Sequence, residues 1–578
     1  MTSVIRLTGE PVAAIDGLIE RLGAASSAVA IIAGDLVIAD AALAPITSDP
    51  YAGTAMLVRP AGRDGDVRVR HHLVNSVGST FHQVTVPDHV FVGAMVIAPT
   101  DVRAATAALG DLRLRLAAGD LGAGPHDPMQ LVAVALVRSG LPVRAIDLVD
   151  VPWFRAPVDR AAAAAAIGAV SDARIAQLQA NRVDDGFYST FVVRRLSKPL
   201  TRLALRLGLS PNAVTLISFA IGLGAAASFA VGTRWALVLG AVLLQVSLIV
   251  DCVDGEVARA TRRFSALGAW LDASTDRVKE FLAYAGLAIG ASAALGIDIW
   301  PLAVVMVVLQ TTRHMTDYDF SREQRAREAR VEPRSITDPD DGAARAGGVA
   351  GAMELSARAN RRDAVRWAKR ALHMPIGERW LVISLAAALL GARWALGLLL
   401  VLGLIALAYV LAGRTLRTLT WRGPTPDDAA LLLARQSDTG PLASALARLI
   451  PRDRWAAMWA SRGAWAIPAG LRLLELGAVA VIALVWLPAA TVLAFWWIAI
   501  IAFHHYDVLY RALQGVATPR WLTWAGLGWD GRTLLIVLAA LGGLAMLEGL
   551  LSVGIVVWSL LLVVVASIQW LASTREVS

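Results

Sequence analysis

The carboxylates of Asp251, Asp254, Asp272 and Asp276 are the groups in this sequence best spaced to do chemistry. They punctuate the run DCVDGEVARATRRFSALGAWLDASTD, which begins where one apolar segment ends and finishes inside the next. Spacings of three and four put each pair on one helical face, and a tight turn between two helices would bring the pairs together. A carboxylate at the centre of a membrane helix costs ~2.5–3.5 kcal/mol. Two close anions repel by ~4 kcal/mol at a moderate effective dielectric. Four converging carboxylates therefore need cations, and all-oxygen ligation suits Mg2+ or Mn2+. Gly255, Ala258 and Gly268 are small enough to let a helix or a substrate backbone approach, and the planar fork of Arg259 can hold a phosphate. The competing reading is a structural network in which Arg259, Arg262, Arg263 and Arg277 merely neutralise the acids. It is the weaker one, because membranes rarely carry such expensive groups without function.

The pattern Asp-x2-Asp-Gly-x2-Ala-Arg-x8-Gly-x3-Asp-x3-Asp resembles that of the CDP-alcohol phosphotransferases, matched here without departure from Asp251 to Asp276. Upstream, Ser210-Pro211-Asn212-Ala213-Val214-Thr215 resembles the family's Pro-Asn-x-x-Thr element. The resemblance covers about residues 185–415. It implies a six-helix core, usually a homodimer, with its site open to the cytoplasm. It also implies that Asp251, Asp254, Asp272 and Asp276 bind two divalent ions, Mg2+ or Mn2+, bridging the pyrophosphate of a CDP-alcohol donor. Gly255, Ala258, Arg259 and Gly268, with Asn212 and Thr215, would line the CDP pocket, and Asp276 would also deprotonate the acceptor alcohol. Candidates for holding a phosphorylated acceptor are Arg194, Arg195, Arg277, Lys279, Arg313 and Arg379, each equally readable as an interfacial side chain reaching for water. Inositol-phosphate chemistry is the best single expectation.

These residues must be held by membrane helices. Of 578 residues, 56% are hydrophobic and 17% charged, and the mean hydropathy is +0.58. Segments near 211–231, 234–250, 280–297, 300–316, 379–392, 396–412, 468–486, 489–504, 533–547 and 550–571 approach the ~20 residues that span a bilayer, giving about ten crossings. Arginines crowd the 321–370 stretch, whereas 231–234, 292–299 and 391–393 are short and nearly uncharged. This positive-inside pattern places both termini and the aspartates in the cytoplasm of a bacterial-type inner membrane. The N-terminal stretch lacks a basic start followed by an apolar core, so a secretory signal is not expected. The net charge of +8 comes without basic-aromatic interleaving, which argues against nucleic acid as a partner. The single Cys252 excludes an internal disulfide.

The expected fold is a polytopic α-helical membrane protein with an N-terminal soluble α/β domain. Residues 1–185 form that domain and a linker helix, 186–415 the membrane core, 416–465 a polar connector, and 466–578 a module of four further spans. Strands are expected at 28–33, 54–58, 67–74, 81–86, 89–97 and 143–148, with helices at 100–116, 128–139 and 158–182. The run AIIAGDLVIAD (Ala30–Asp40) and Val151-Pro152-Trp153-Phe154 resemble parts of sugar nucleotidyltransferases. The Gly-rich loop is missing, however, and Arg155-Ala156-Pro157 stands where the late metal-binding acid belongs. The domain therefore reads as a degenerate relative; the alternative is a bifunctional enzyme that also makes its own CDP-alcohol. A transporter or scaffold would need paired broken helices near the bilayer midplane, and no such pair stands out. In the C-terminal module, His504-His505-Tyr506-Asp507 and Gly528-Trp529-Asp530-Gly531-Arg532 read as hydrogen-bonded interfacial residues, since adjacent histidines point ~100° apart on a helix. The module resembles one appended to such enzymes in GC-rich bacteria.

Overall fold

A computed structural model describes residues 2–48, 53–61, 64–70, 72–84, 87–122, 124–179, 186–329, 333–336, 363–421, 425–449, 451–513 and 518–575. The chain divides into two compact units, one built on residues 1–182 with 259–262 and 325–345, the other on the remainder.

The first unit is a mixed seven-stranded sheet in the order Ser3–Leu7, Val29–Ala33, His89–Ile97, Ala55–Pro60, Arg144–Asp147, Leu73–Val77, Val67–Arg70. Val29–Ala33 and most of His89–Ile97 are buried, which explains why they read as unbroken apolar runs rather than alternating ones. The helices Pro11–Gly23, Val102–Ala118 and Pro128–Arg138 join the same core, the last buried along nearly its whole length. The expected strand at 67–74 is instead a hairpin, turned by His72 at φ 64°, a turn that two adjacent histidines do not advertise. Phe81–Val84 is irregular, because Ser79 and His82 exchange backbone hydrogen bonds in a turn; Thr85 and Val86 lie outside the described residues. The expected helix at 158–182 is two, Arg160–Gly168 and Asp172–Gln179.

The second unit is helical. Among the described residues, seven helices are long and apolar enough to cross a membrane: Pro211–Val231, Arg234–Thr261, Ala266–Leu295, Ala392–Thr420, Ala466–Trp486, Pro488–Leu513 and Leu544–Ala572. Their outward faces carry bare apolar side chains, such as Trp235, Leu239, Val553 and Val556, as lipid contact requires. Three other expected spans are helices that fall short by this measure. Ile376–Leu389 and Gly528–Leu541 have 14 residues each, and the second half of Trp300–Ala329 is charged. Most of the Arg-rich 321–370 stretch lies outside the described residues. The 416–465 connector is helical at Asp427–Gln436, Pro441–Ala447 and Arg452–Trp459.

Two glycines set the closest helix contact. A Cβ on Gly286 would lie 2.3 Å from the Ala226 carbonyl oxygen, and one on Gly290 2.1 Å from that of Phe229. Their bare backbones let Ala266–Leu295 press along Pro211–Val231, the small-residue packing that membrane helices use.

Candidate active site

The Arg234–Thr261 and Ala266–Leu295 helices are joined by a turn in which Arg262 has φ 55°. Ser265 caps the second helix, its Oγ accepting from the Gly268 N–H at 2.9 Å. Ser210 caps Pro211–Val231 in the same way. These short-range signals fix the depth at which the three helices meet.

At that meeting, ligand oxygens of Asp251, Asp254 and Asp272 all lie within 4.8 Å of one another. Thr215 donates to Asp254 Oδ2 at 2.5 Å and Ser218 to Asp251 Oδ1 at 3.0 Å, so two carboxylates are aimed by hydroxyls from the neighbouring helix. Asp251, Asp254, Gly255 and Ala258 share one helical face, and Gly255, Ala258 and Gly268 are all part-exposed. A Cβ on Gly268 would sit 3.0 Å from Asn212 Oδ1, so the Pro-Asn-x-x-Thr element and the aspartate motif meet side by side. Arg259 is half-buried two residues before its helix ends.

Asp276 stands apart from the three-carboxylate group. Its Oδ1 is 2.9 Å from Lys279 Nζ, which also donates to Asp251 Oδ1 at 2.6 Å and to Ser218 Oγ at 3.0 Å. Lys279 is fully buried, a built-in cation between two acids. The sequence reading had it as an acceptor contact. Two signals could have placed it here: the i, i+3 spacing from Asp276, and Gly222, where a Cβ would lie 2.7 Å from the Lys279 stem. The donor set still fits a hard divalent ion, being all oxygen, crowded and only partly neutralised.

Of the remaining cations, Arg379, Arg277 and Arg194 are engaged within the protein. Arg379 grips Glu280 through Nε and Nη2 at 2.8 and 3.1 Å, and Arg277 reaches the same acid at 3.0 Å. Arg194 pairs with Glu256 at 2.8 Å, tying the amphipathic Arg194–Arg206 helix to the aspartate-bearing one. Arg195 is exposed. Arg313 donates to the Met374 carbonyl oxygen at 3.1 Å, while its Nε and Nη1 lack a hydrogen-bond partner although the side chain is buried.

Comparison with known proteins adds two family matches. Residues 208–334 match CDP-alcohol phosphatidyltransferase, and residues 460–577 match a family of unknown function (DUF5941). A phosphatidylinositol phosphate synthase of Mycolicibacterium smegmatis is 35% identical over 129 residues, 22% of this chain and 56% of that protein. A bifunctional IPC transferase and DIPP synthase of Aquifex aeolicus is 34% identical over 142 residues, 24% of this chain and 32% of that protein. The chain thus spans between a third and a little over half of the length of these relatives. A solved phosphatidylinositol phosphate synthase of Mycobacterium tuberculosis, in complex with manganese and citrate, aligns over 38% of this chain and 88% of its own at 19% identity, with a TM-score of 0.24.

Proposed function

Residues 208–334 are a CDP-alcohol phosphatidyltransferase domain, and from that premise we propose that the protein transfers a phospho-alcohol group from a CDP-alcohol to an acceptor alcohol, releasing CMP. The observation that carries the reading is the convergence of Asp251, Asp254 and Asp272 beside Thr215, Asn212 and Gly268. The three carboxylates would hold one Mg2+ or Mn2+, and Asp251 with Asp276 would hold a second by taking over from Lys279. Bound there, the ions would neutralise charge on the donor pyrophosphate and on the departing CMP. The chain's own groups do the rest. Thr215 and Ser218 keep two carboxylates oriented, Gly255, Ala258 and Gly268 leave the cytidine side open, and Arg259 holds a phosphate. Asp276 takes the proton of the attacking hydroxyl.

For the alcohols, the name of the Mycolicibacterium relative, a phosphatidylinositol phosphate synthase, favours an inositol-phosphate group, as acceptor or as part of the donor. Arg313, buried with two nitrogens that lack a hydrogen-bond partner, is the candidate for a phosphorylated acceptor. The deciding experiment is a substrate screen with purified protein, labelled CDP-diacylglycerol or CDP-inositol, candidate acceptors and Mg2+ or Mn2+. Metal-dependent CMP release with a labelled diester product is the expected result. CMP release that survives excess chelator would sink the proposal.

We read the membrane part as about ten crossings, with Trp300–Ala329, Ile376–Leu389 and Gly528–Leu541 completing the seven apolar helices, and with the site and both termini cytoplasmic. A homodimer through the core is the expected assembly. In a Cys252→Ser background, an impermeant thiol reagent on intact cells should label a cysteine at Thr233 and spare one at Ser321. The reverse labelling would invert the topology and cut the site off from cytoplasmic CDP-alcohol.

The N-terminal domain is proposed to be catalytically silent. Arg155 is 2.7 Å from both Asp35 and Asp127, so a guanidinium fills the acid pair where a nucleotidyltransferase would need a metal. Full-length Asp272→Ala protein, given CTP and an alcohol phosphate, should release no pyrophosphate above background. Sustained release would restore the bifunctional reading.

A further inference from the structure

A second cluster of ligating side chains lies in the C-terminal module, away from the aspartate site. Asp438 sits between the Asp427–Gln436 and Pro441–Ala447 helices, its carbonyl oxygen accepting from the Trp529 N–H at 3.1 Å. Its Oδ2 is 3.5 Å from His504 Nε2 and 4.0 Å from His505 Nδ1, and one ligand atom from each of the three residues lies within 4.8 Å of the others. All three side chains are buried. His505 Nε2 is 2.9 Å from Glu475 Oε2. A carboxylate only accepts, so Nε2 carries the proton and Nδ1 turns its lone pair towards Asp438. Two lone-pair atoms therefore face each other with no proton between them, while Asp438 Oδ2 also accepts from Arg532 Nη2 at 2.7 Å. His504 is fully buried, and neither of its ring nitrogens has a hydrogen-bond partner.

We infer that Asp438, His504 and His505 form a binding site for a transition-metal dication of the zinc class. Tetrahedral ligands ~2.0–2.1 Å from zinc stand about 3.3 Å from one another, so the observed 3.5 and 4.0 Å would contract by about 0.2 and about 0.7 Å on binding. Mixed imidazole and carboxylate donors select this class of metal over magnesium. Glu475 behind His505 is the outer carboxylate that orients a metal-bound imidazole, and it is itself held by Arg532 Nε at 2.6 Å. Arg472 and Arg532 offset Asp438 and Glu475, and Asp319, whose Oδ2 lacks a hydrogen-bond partner, borders the small cavity that His505, Gln436 and Arg472 also line. Three protein ligands leave a fourth position for water. The ion would tie the connector carrying Asp438 to the middle of the Thr491–Leu513 helix.

Tag-free full-length protein, stripped with chelator and kept in excess Mg2+, is incubated with Zn2+ or Co2+ and desalted. About one equivalent of zinc per chain should remain, in the Asp272→Ala variant as in the wild type. Co2+ should give the intense visible bands of a tetrahedral site with nitrogen ligands. His504→Ala should lose both the zinc and the bands. Wild-type protein that retains no zinc would overturn the inference and leave a water-filled polar network. So would retention that depends on Asp272 rather than His504. If His504→Ala does not fold, the wild-type Co2+ spectrum decides alone, weak octahedral bands counting against the site.

Discussion

Asp272→Ala is expected to lower CMP formation by about 10²–10³-fold, the scale of removing one element of preorganised charge stabilisation. Asp272 comes from the second helix of the pair and closes a ligand triangle otherwise supplied by Asp251 and Asp254 on the first. Without it, an ion would bridge only one helix. Mn2+ binding should fall in parallel, and spin counting of bound Mn2+ against added Mn2+ reads that directly. In the wild type the two ions should bind with unequal affinity, because the second must displace Lys279 from Asp251 and Asp276. Thr215→Val provides the graded control. It keeps every carboxylate and removes only the hydroxyl that aims Asp254, so its loss should be nearer ten- to a hundred-fold, as for outer-shell partners of metal ligands. An Asp272→Ala enzyme with near-normal turnover would mean that the carboxylate triangle is structural.

How much of this could be read beforehand follows from the range of the forces involved. The aspartate spacing, Ser265 and Ser210 as caps, and the small residues are local features, and they bring Asp251, Asp254, Asp272, Asn212 and Thr215 together as their types suggest. Lys279 was legible as a cation but not as the partner of Asp276. Its position depends on a helix contact set by Gly222, Gly286 and Gly290, and no local pattern reveals which glycine faces which side chain. The apolar runs near 379–392 and 533–547 were legible, but the charged starts of the helices that hold them were not, for a similar reason. Ile376–Leu389 and Gly528–Leu541 carry buried Arg379 and Arg532, whose charges are met by Glu280, Glu475 and Asp438 from distant segments. In the N-terminal sheet, the edge strand Ser3–Leu7 has, among the described residues, only Val29–Ala33 as a strand neighbour, and its weak apolar pattern gives no warning of it. The 416–465 stretch was legible only as a polar connector, and its polarity hides that Gln436, Ser437 and Asp438 are buried.

Asp276→Asn should separate chemistry from binding. The substitution keeps the side chain's size and leaves Lys279 its shorter contact, 2.6 Å to Asp251, as well as Ser218 at 3.0 Å, so no buried cation is stranded and the fold should hold. What disappears is the carboxylate that takes the acceptor's proton. Loss of a positioned general base costs about 10²–10⁴-fold, and that loss should fall more heavily on kcat than on donor affinity, which weakens only as far as the second ion does, with the unfolding midpoint changed little. Lys279→Met is the informative contrast. It leaves Asp251 and Asp276 close together without their shared cation, and breaking a buried pair from one side typically costs about 3–5 kcal/mol, so stability should suffer first and be regained when Mn2+ is added. If Asp276 served only to hold Lys279, Asp276→Asn would stay folded and release CMP at a near-normal rate. A catalytic Asp276 predicts that Asp276→Asn stays folded, binds the CDP-alcohol, and releases almost no CMP at any Mn2+ concentration.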